Sequence, residues 1–177
     1  MIKVLLVTLI LATTNILAYT QLNYPIPTKN SDLMFYLQRS HNRNTVLYHL
    51  NRLSNGKINT SCPLHIYWIR YEENERIAEL SFIQRRAFGI SISLMENSNV
   101  NFIFHFNSFK NKDIFLLSSK DNIYKAYTRI NGEMSELEKL YIKSENNSLG
   151  IPITIGYVEL SGKNLKNGQI ISEKIIP

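Results

Sequence analysis

The sequence predicts a mostly β fold: an antiparallel β-sandwich or barrel with one short helix. Three observations lead there. Apolar and polar residues alternate along run after run of the chain. Asn, Asp, Gly, Ser and Pro recur at short intervals between those runs, where turns are needed. Only one stretch shows apolar residues at three-to-four spacing with charges placed to suit a helix.

In chain order, residues 1–18 read as a secretory signal peptide. Lys3 gives a positive start, an apolar run follows from Val4 to Ala12, and Ile16-Leu17-Ala18 is a small-residue exit. Thr13, Thr14 and Asn15 interrupt the run, well short of the ~20 apolar residues that a membrane span requires. No later run is apolar for long enough, so no transmembrane segment is expected once the leader is removed. Residues 19–30 carry Pro25 and Pro27 and read as an extended lead-in. Residues 31–177 contain no linker and are expected to form one domain.

Within that domain the cleanest strand is 100–107. Val100, Phe102, Phe104 and Phe106 fall on one face, and Asn101, His105 and Asn107 on the other, so one side is buried and the other wet. Further strands are expected at 35–39, 45–50, 65–71, 89–95, 113–118, 123–130, 137–143, 153–160 and 169–175. Asn131-Gly132, between two alternating runs, is the strongest hairpin signal. The helix is expected over 78–88, with Leu80, Ile83 and Ala87 on one side. Glu79 stands early in it, Arg85-Arg86 late, and Gly89 at its end.

The chain of 177 residues has a formal charge of +6. Its basic residues are scattered, with Arg85-Arg86 the only adjacent pair, so no nucleic-acid partner is expected. The lone Cys62 excludes an internal disulfide and a cysteine metal cluster; in Ser61-Cys62-Pro63 it reads as a partly buried small residue. His41, His49, His65 and His105 form no ligand-spaced unit, so no metal or cofactor is expected. Nucleophile elbows and phosphate loops are absent too, and no catalytic residue is assigned.

Polar residues inside apolar stretches are more informative. Trp68 and Arg70 share a strand face. They read either as a platform for an anionic or sugar-like ligand or as a core tryptophan covered by an arginine stem. Glu159 and Glu173 lie in apolar runs and are candidates to pair with Arg70, Arg85 or Arg39.

Three segments carry a family resemblance: Phe35-Tyr36-Leu37-Gln38-Arg39-Ser40-His41-Asn42-Arg43-Asn44-Thr45-Val46, Tyr67-Trp68-Ile69-Arg70-Tyr71-Glu72, and Glu79-Leu80-Ser81-Phe82-Ile83-Gln84-Arg85-Arg86-Ala87-Phe88-Gly89. With Tyr157 to Gly162 and Glu173 to Pro177, they resemble the DUF4833 family, a bacterial domain of unknown function found mainly in the Bacteroidetes. The family pattern often carries an aromatic where this chain has Ser161. The resemblance implies an exported protein, periplasmic or extracellular, and implies no reaction. Residues that match its pattern are Asn42, Asn44, Trp68, Arg70, Gln84, Arg85, Glu159 and Glu173, the candidates for a shared binding feature. Two functions follow. One is a non-enzymatic binding or interaction domain of the envelope, taking a small ligand or an envelope protein. The other is an envelope hydrolase, which requires residues such as Asn42, Arg70, Gln84 and Glu159 to meet in a cleft.

Overall fold

A computed structural model describes residues 24–98, 101–119, 122–145 and 154–176. The leader expected over 1–18, the first part of the lead-in and Val100 lie outside the described residues. Among the described residues eleven strands and one α-helix are formed, and the strands belong to a single strongly curled mixed sheet, a half-barrel.

The first wing is built from β1 (Leu33–Arg39), β2 (Asn42–Leu50), β3 (Leu64–Arg70) and the four-residue β4 (Arg76–Glu79), all antiparallel neighbours. A single 3-10 turn, Tyr71–Glu73, links β3 to β4. The helix α1 (Phe82–Phe88) leads from β4 into the second wing. That wing holds β5 (Ile90–Leu94), β6 (Phe102–Phe106), β7 (Phe109–Ser118) and β8 (Tyr124–Ile130). A long strand, β9 (Glu133–Glu145), joins the wings, and β10 (Thr154–Asn164) and β11 (Ile170–Ile175) extend the sheet from its other side.

The curl originates at β9. Its residues Glu133–Glu136 pair antiparallel with β8, while Lys139–Ile142 pair parallel with β1. One strand edge thus serves two partners in succession, and the two wings are folded toward each other from the fork. The β1–β9 pairing makes the sheet mixed where the sequence predicted only antiparallel pairs. Parallel neighbours need a long connection, which local turn signals cannot reveal. At the fork, β10 crosses β9 through Gly162, opposite Leu137, with a register irregularity between Ser161 and Gly162. A Cβ on Gly162 would lie 2.3 Å from the Glu136 carbonyl oxygen and 3.0 Å from Ile130 Cδ1. Only glycine fits there.

Between the wings lies an aromatic core. Phe35 stacks on Tyr48 at 4.3 Å and on Phe104 at 5.9 Å, and Phe106 meets both Phe35 and Tyr48 edge-on. Each fully buried ring contributes about 1.5–3 kcal/mol by burial, and well-oriented pairs add ~0.5–1.5 kcal/mol. The period-two reading of β6 holds: Phe102, Phe104 and Phe106 are buried, while His105 turns outward to Asp113, 2.7 Å away. The Asn131-Gly132 hairpin also forms. Both residues have positive φ, 49° and 80°, the signature of a type I′ turn.

The helix is shorter than predicted. Residues 76–79 are the edge strand β4, so Glu79 faces across a ladder to Tyr67 and is not in a helical first turn. Ser81 starts α1 instead. Its hydroxyl accepts from the Gln84 N–H while the Gln84 Oε1 accepts from the Ser81 N–H, a capping box. Ile83, expected on the buried side, is 78% exposed, whereas Leu80 and Phe88 are buried. With only seven residues, the helix presents one short apolar edge to the core.

Glu173 pairs with none of the arginines. Its Oε2 accepts from Lys112 Nζ at 2.7 Å and from the Asn131 N–H at 3.0 Å, tying β11 to β7 and to the β8–β9 turn. Burial alone would push its carboxyl up. The Lys112 hydrogen bond, the Asn131 N–H and the Lys112 charge outweigh this and hold it below its ordinary value near 4.5.

Two predictions follow from this architecture. Gly162→Ala is expected to lower stability by about 1–3 kcal/mol through overpacking at the fork; a denaturant midpoint unchanged from wild type would refute the close approach. Because Glu173 has a lowered pKa in the folded state, its contribution is present above about pH 4.5 and is lost as pH falls through the folded value. Urea midpoints measured from pH 6 down to pH 3 should therefore fall less steeply in Glu173→Gln than in wild type.

Candidate functional site

The period-two pattern of β1 places Phe35, Leu37 and Arg39 on the inner face, so a cation stands at the end of an apolar row. Leu37, Val46, Trp68 and Ala78 form the adjoining row across four strands. Trp68 is a core residue, 2% exposed, and meets Phe88 of α1 edge-to-face at 5.4 Å. The arginine over its ring is Arg39, not Arg70. The Arg39 guanidinium carbon lies 4.5 Å from the indole centroid and 5.2 Å from that of Phe88. One long hydrogen bond, 3.3 Å from Nη2 to Asn42 Oδ1, holds the fork. Burial drives the Arg39 pKa down to about 10, against the pull of Glu72.

A polar rim surrounds this corner. Asn44 Oδ1 accepts from the Glu72 N–H at 3.4 Å, and Glu72 Oε1 accepts from the Arg43 N–H at 3.2 Å. His41 Nδ1 lies 3.2 Å from Ser144 Oγ, which in turn is 3.0 Å from Ser40 Oγ. Partial burial and the Arg39 charge lower the His41 pKa, with Glu72 opposing; the imidazole is therefore neutral near pH 7.

A second feature lies on the other side of α1. Among the described residues, β4 and β5 end the strand path without meeting, and α1 spans the gap. A cleft of about 400 Å³ opens there, lined by Leu64, Ile66, Leu80, Ile90 and Ile92, with Asn51, Ser61, Arg85, Asn107 and the paired His65 and Glu79 as polar groups. Gly89 closes its floor: a Cβ there would sit 2.2 Å from the Arg85 carbonyl oxygen. Asn107 Nδ2 donates to that same carbonyl at 3.1 Å, and the Tyr48 hydroxyl donates to the Phe88 carbonyl at 2.7 Å. The helix end is thereby fixed to both wings. Cys62 lines the cleft and is exposed rather than partly buried, because its turn precedes β3 at the open edge.

The eight residues singled out in the sequence do not form one cluster. Asn42, Asn44 and Trp68 belong to the rim around Arg39. Arg70 shares the Trp68 face but is engaged with Glu73 at 2.9 Å. Gln84 is held in the helix cap, and Arg85 donates through Nε to the Leu80 carbonyl at 2.9 Å, with Glu79 at 4.0 Å. Glu159 sits opposite Tyr141 and Lys174 on the outer face, away from Trp68. Glu173 is bound to Lys112. Sequence reasoning named Arg39 only as an ion-pair partner for Glu159 or Glu173; the signal for its place over Trp68 was a charge at the buried parity of β1.

No curated protein and no solved structure matches the chain. The family model described as a domain of unknown function, DUF4833, matches residues 35–174. That span contains the rim, the cleft and the β9 fork, and the chain belongs to the DUF4833 family.

Proposed function

We propose that the chain is a non-enzymatic interaction domain, exported to the periplasm or the cell surface of a bacterium, that takes an extended segment of a partner protein against the open edge of β5. The observation that carries this reading is the backbone of that edge, which has no strand partner on its outer side among the described residues. Gly89 accepts from the Asn107 N–H and Met95 donates to the Asn101 carbonyl, so the odd-numbered residues turn their backbone groups toward β6. The N–H and C=O groups of Ile90, Ile92 and Leu94 therefore point along the free side.

Edge strands are usually guarded by charges, Pro or bulges. Ile90-Ser91-Ile92-Ser93-Leu94 has none of these, and its pairing with β6 is regular. The other terminal strands are guarded: β4 begins with Arg76 and ends with Glu79, and β11 carries Glu173 and Lys174. Beside the β5 edge lies the apolar cleft, and Phe82 and Ile83, 74% and 78% exposed, stand at the start of α1. Main-chain pairing supplies affinity in such strand addition, and side-chain pockets supply selectivity. Each added backbone bond contributes ~1 kcal/mol net, so burial in the cleft must supply most of the binding energy.

The hydrolase reading draws less support. Arg70 and Gln84 are committed to Glu73 and to the helix cap, and Glu159 and Trp68 face opposite sides of the sheet.

A displayed library of short peptides tests the proposal. Selected sequences should alternate apolar and polar residues, and the bound peptide should slow hydrogen exchange at the Ile90, Ile92 and Leu94 amides. Ile92→Pro removes one outward donor without touching the ladder to β6 and should weaken binding at least about tenfold. Protection that appears elsewhere, or undiminished binding by a folded Ile92→Pro variant, would rule out strand addition at β5.

A further inference from the structure

We infer that the rim around Arg39 and Trp68 is a second binding site, separate from the β5 cleft, and that it takes a carboxylate group. Two buried donors in this corner find no acceptor among the described residues: Arg39 Nε and Trp68 Nε1. Trp68 is almost wholly buried, and buried polar hydrogens are ordinarily paired. Here both orphans belong to side chains in mutual contact, the guanidinium over the indole at 4.5 Å. Both unpaired donors thus belong to one corner of the fold.

The geometry selects the ligand. Trp68 and Phe88 meet at 85°, and the guanidinium packs against both rings, which confines it between them. A confined guanidinium edge matches the two oxygens of a carboxylate. Among the described residues the Nε–Nη2 edge is held only by the 3.3 Å bond to Asn42, so an incoming carboxylate displaces a weak partner. Charge favours a monoanion. Arg39 is the cation at the corner, Glu72 is close enough to influence it, and His41 is biased toward its neutral form. A phosphate dianion would face Glu72, and the other cation on the Trp68 face, Arg70, is already paired with Glu73. A monoanion on Arg39 balances the site.

The test exploits the single tryptophan of the chain. Titration of the full chain with acetate, at constant ionic strength and pH 7, should shift the one indole N–H resonance and change Trp68 emission, both saturably. Chloride and phosphate at matched ionic strength should do neither. Arg39→Lys, which keeps the charge but loses the fork, should weaken the acetate response at least tenfold. Asn42→Ala, which frees Nη2, should preserve or strengthen it. A linear response shared by all three anions would overturn the site, and so would an indole resonance unmoved by acetate in the wild-type chain. Should Arg39→Lys fail to fold, the wild-type and Asn42→Ala titrations decide the matter on the same criteria.

Discussion

One edge of β9 is divided between two strands, and the rest of the architecture follows from that division. Over its first four residues β9 accepts an antiparallel partner, and a few residues later a parallel one. Neighbouring strands in a sheet twist relative to one another. Two strands leaving the same edge at different heights therefore diverge, and their wings face each other across a core. Gly162 makes the division possible on the opposite edge, where β10 presses against the Glu136 carbonyl. The aromatic cluster then seals the wings together, with Phe35 and Tyr48 from one side and Phe104 and Phe106 from the other.

Much of this was legible in the sequence, and the failures have physical causes. Strands with one buried face announced themselves by alternation; β6 is the clearest, and the Asn131-Gly132 turn identified the β8–β9 hairpin. The parallel β1–β9 contact left no local trace, because a parallel pairing carries no turn of its own. β4 was hidden by its length and its charged ends: Arg76-Ile77-Ala78-Glu79 is too short to show a period, and Ala78 and Leu80 fit the helical spacing that follows. At the site, alternation correctly put an arginine over Trp68 but named the wrong strand. Arg70 is on the proper face, yet Glu73 three residues away captures it. Arg39 reaches the indole from a strand two ladders away, a distance that depends on register.

The helix α1 links the two candidate sites. It follows Leu80, which lines the cleft, starts with a capping box, presents Arg85 to the same cleft, and ends in Phe88, whose ring supports Arg39 and whose carbonyl receives the Tyr48 hydroxyl. Its last carbonyls are also tied to the β6–β7 turn, where Ser108 donates to Ala87 at 2.6 Å and Asn107 donates to Arg85. An element so short has little intrinsic stability. These tertiary bonds, and not helix propensity, keep it in the gap between β4 and β5.

That placement explains why the barrel stays open. Closing it would require β4 to pair with β5, but the chain between them is taken up by α1, with Leu80 and Phe88 buried on either side of it. The outward groups of Ile90, Ile92 and Leu94 are consequently left for water or for another chain. An apolar, uncharged edge of this kind invites association, and Leu80, just before the helix, joins Leu64 and Ile66 of β3 in the apolar wall beside it. The open edge and the cleft are thus two results of one decision in the fold: the wings are joined at β9 and held apart at α1.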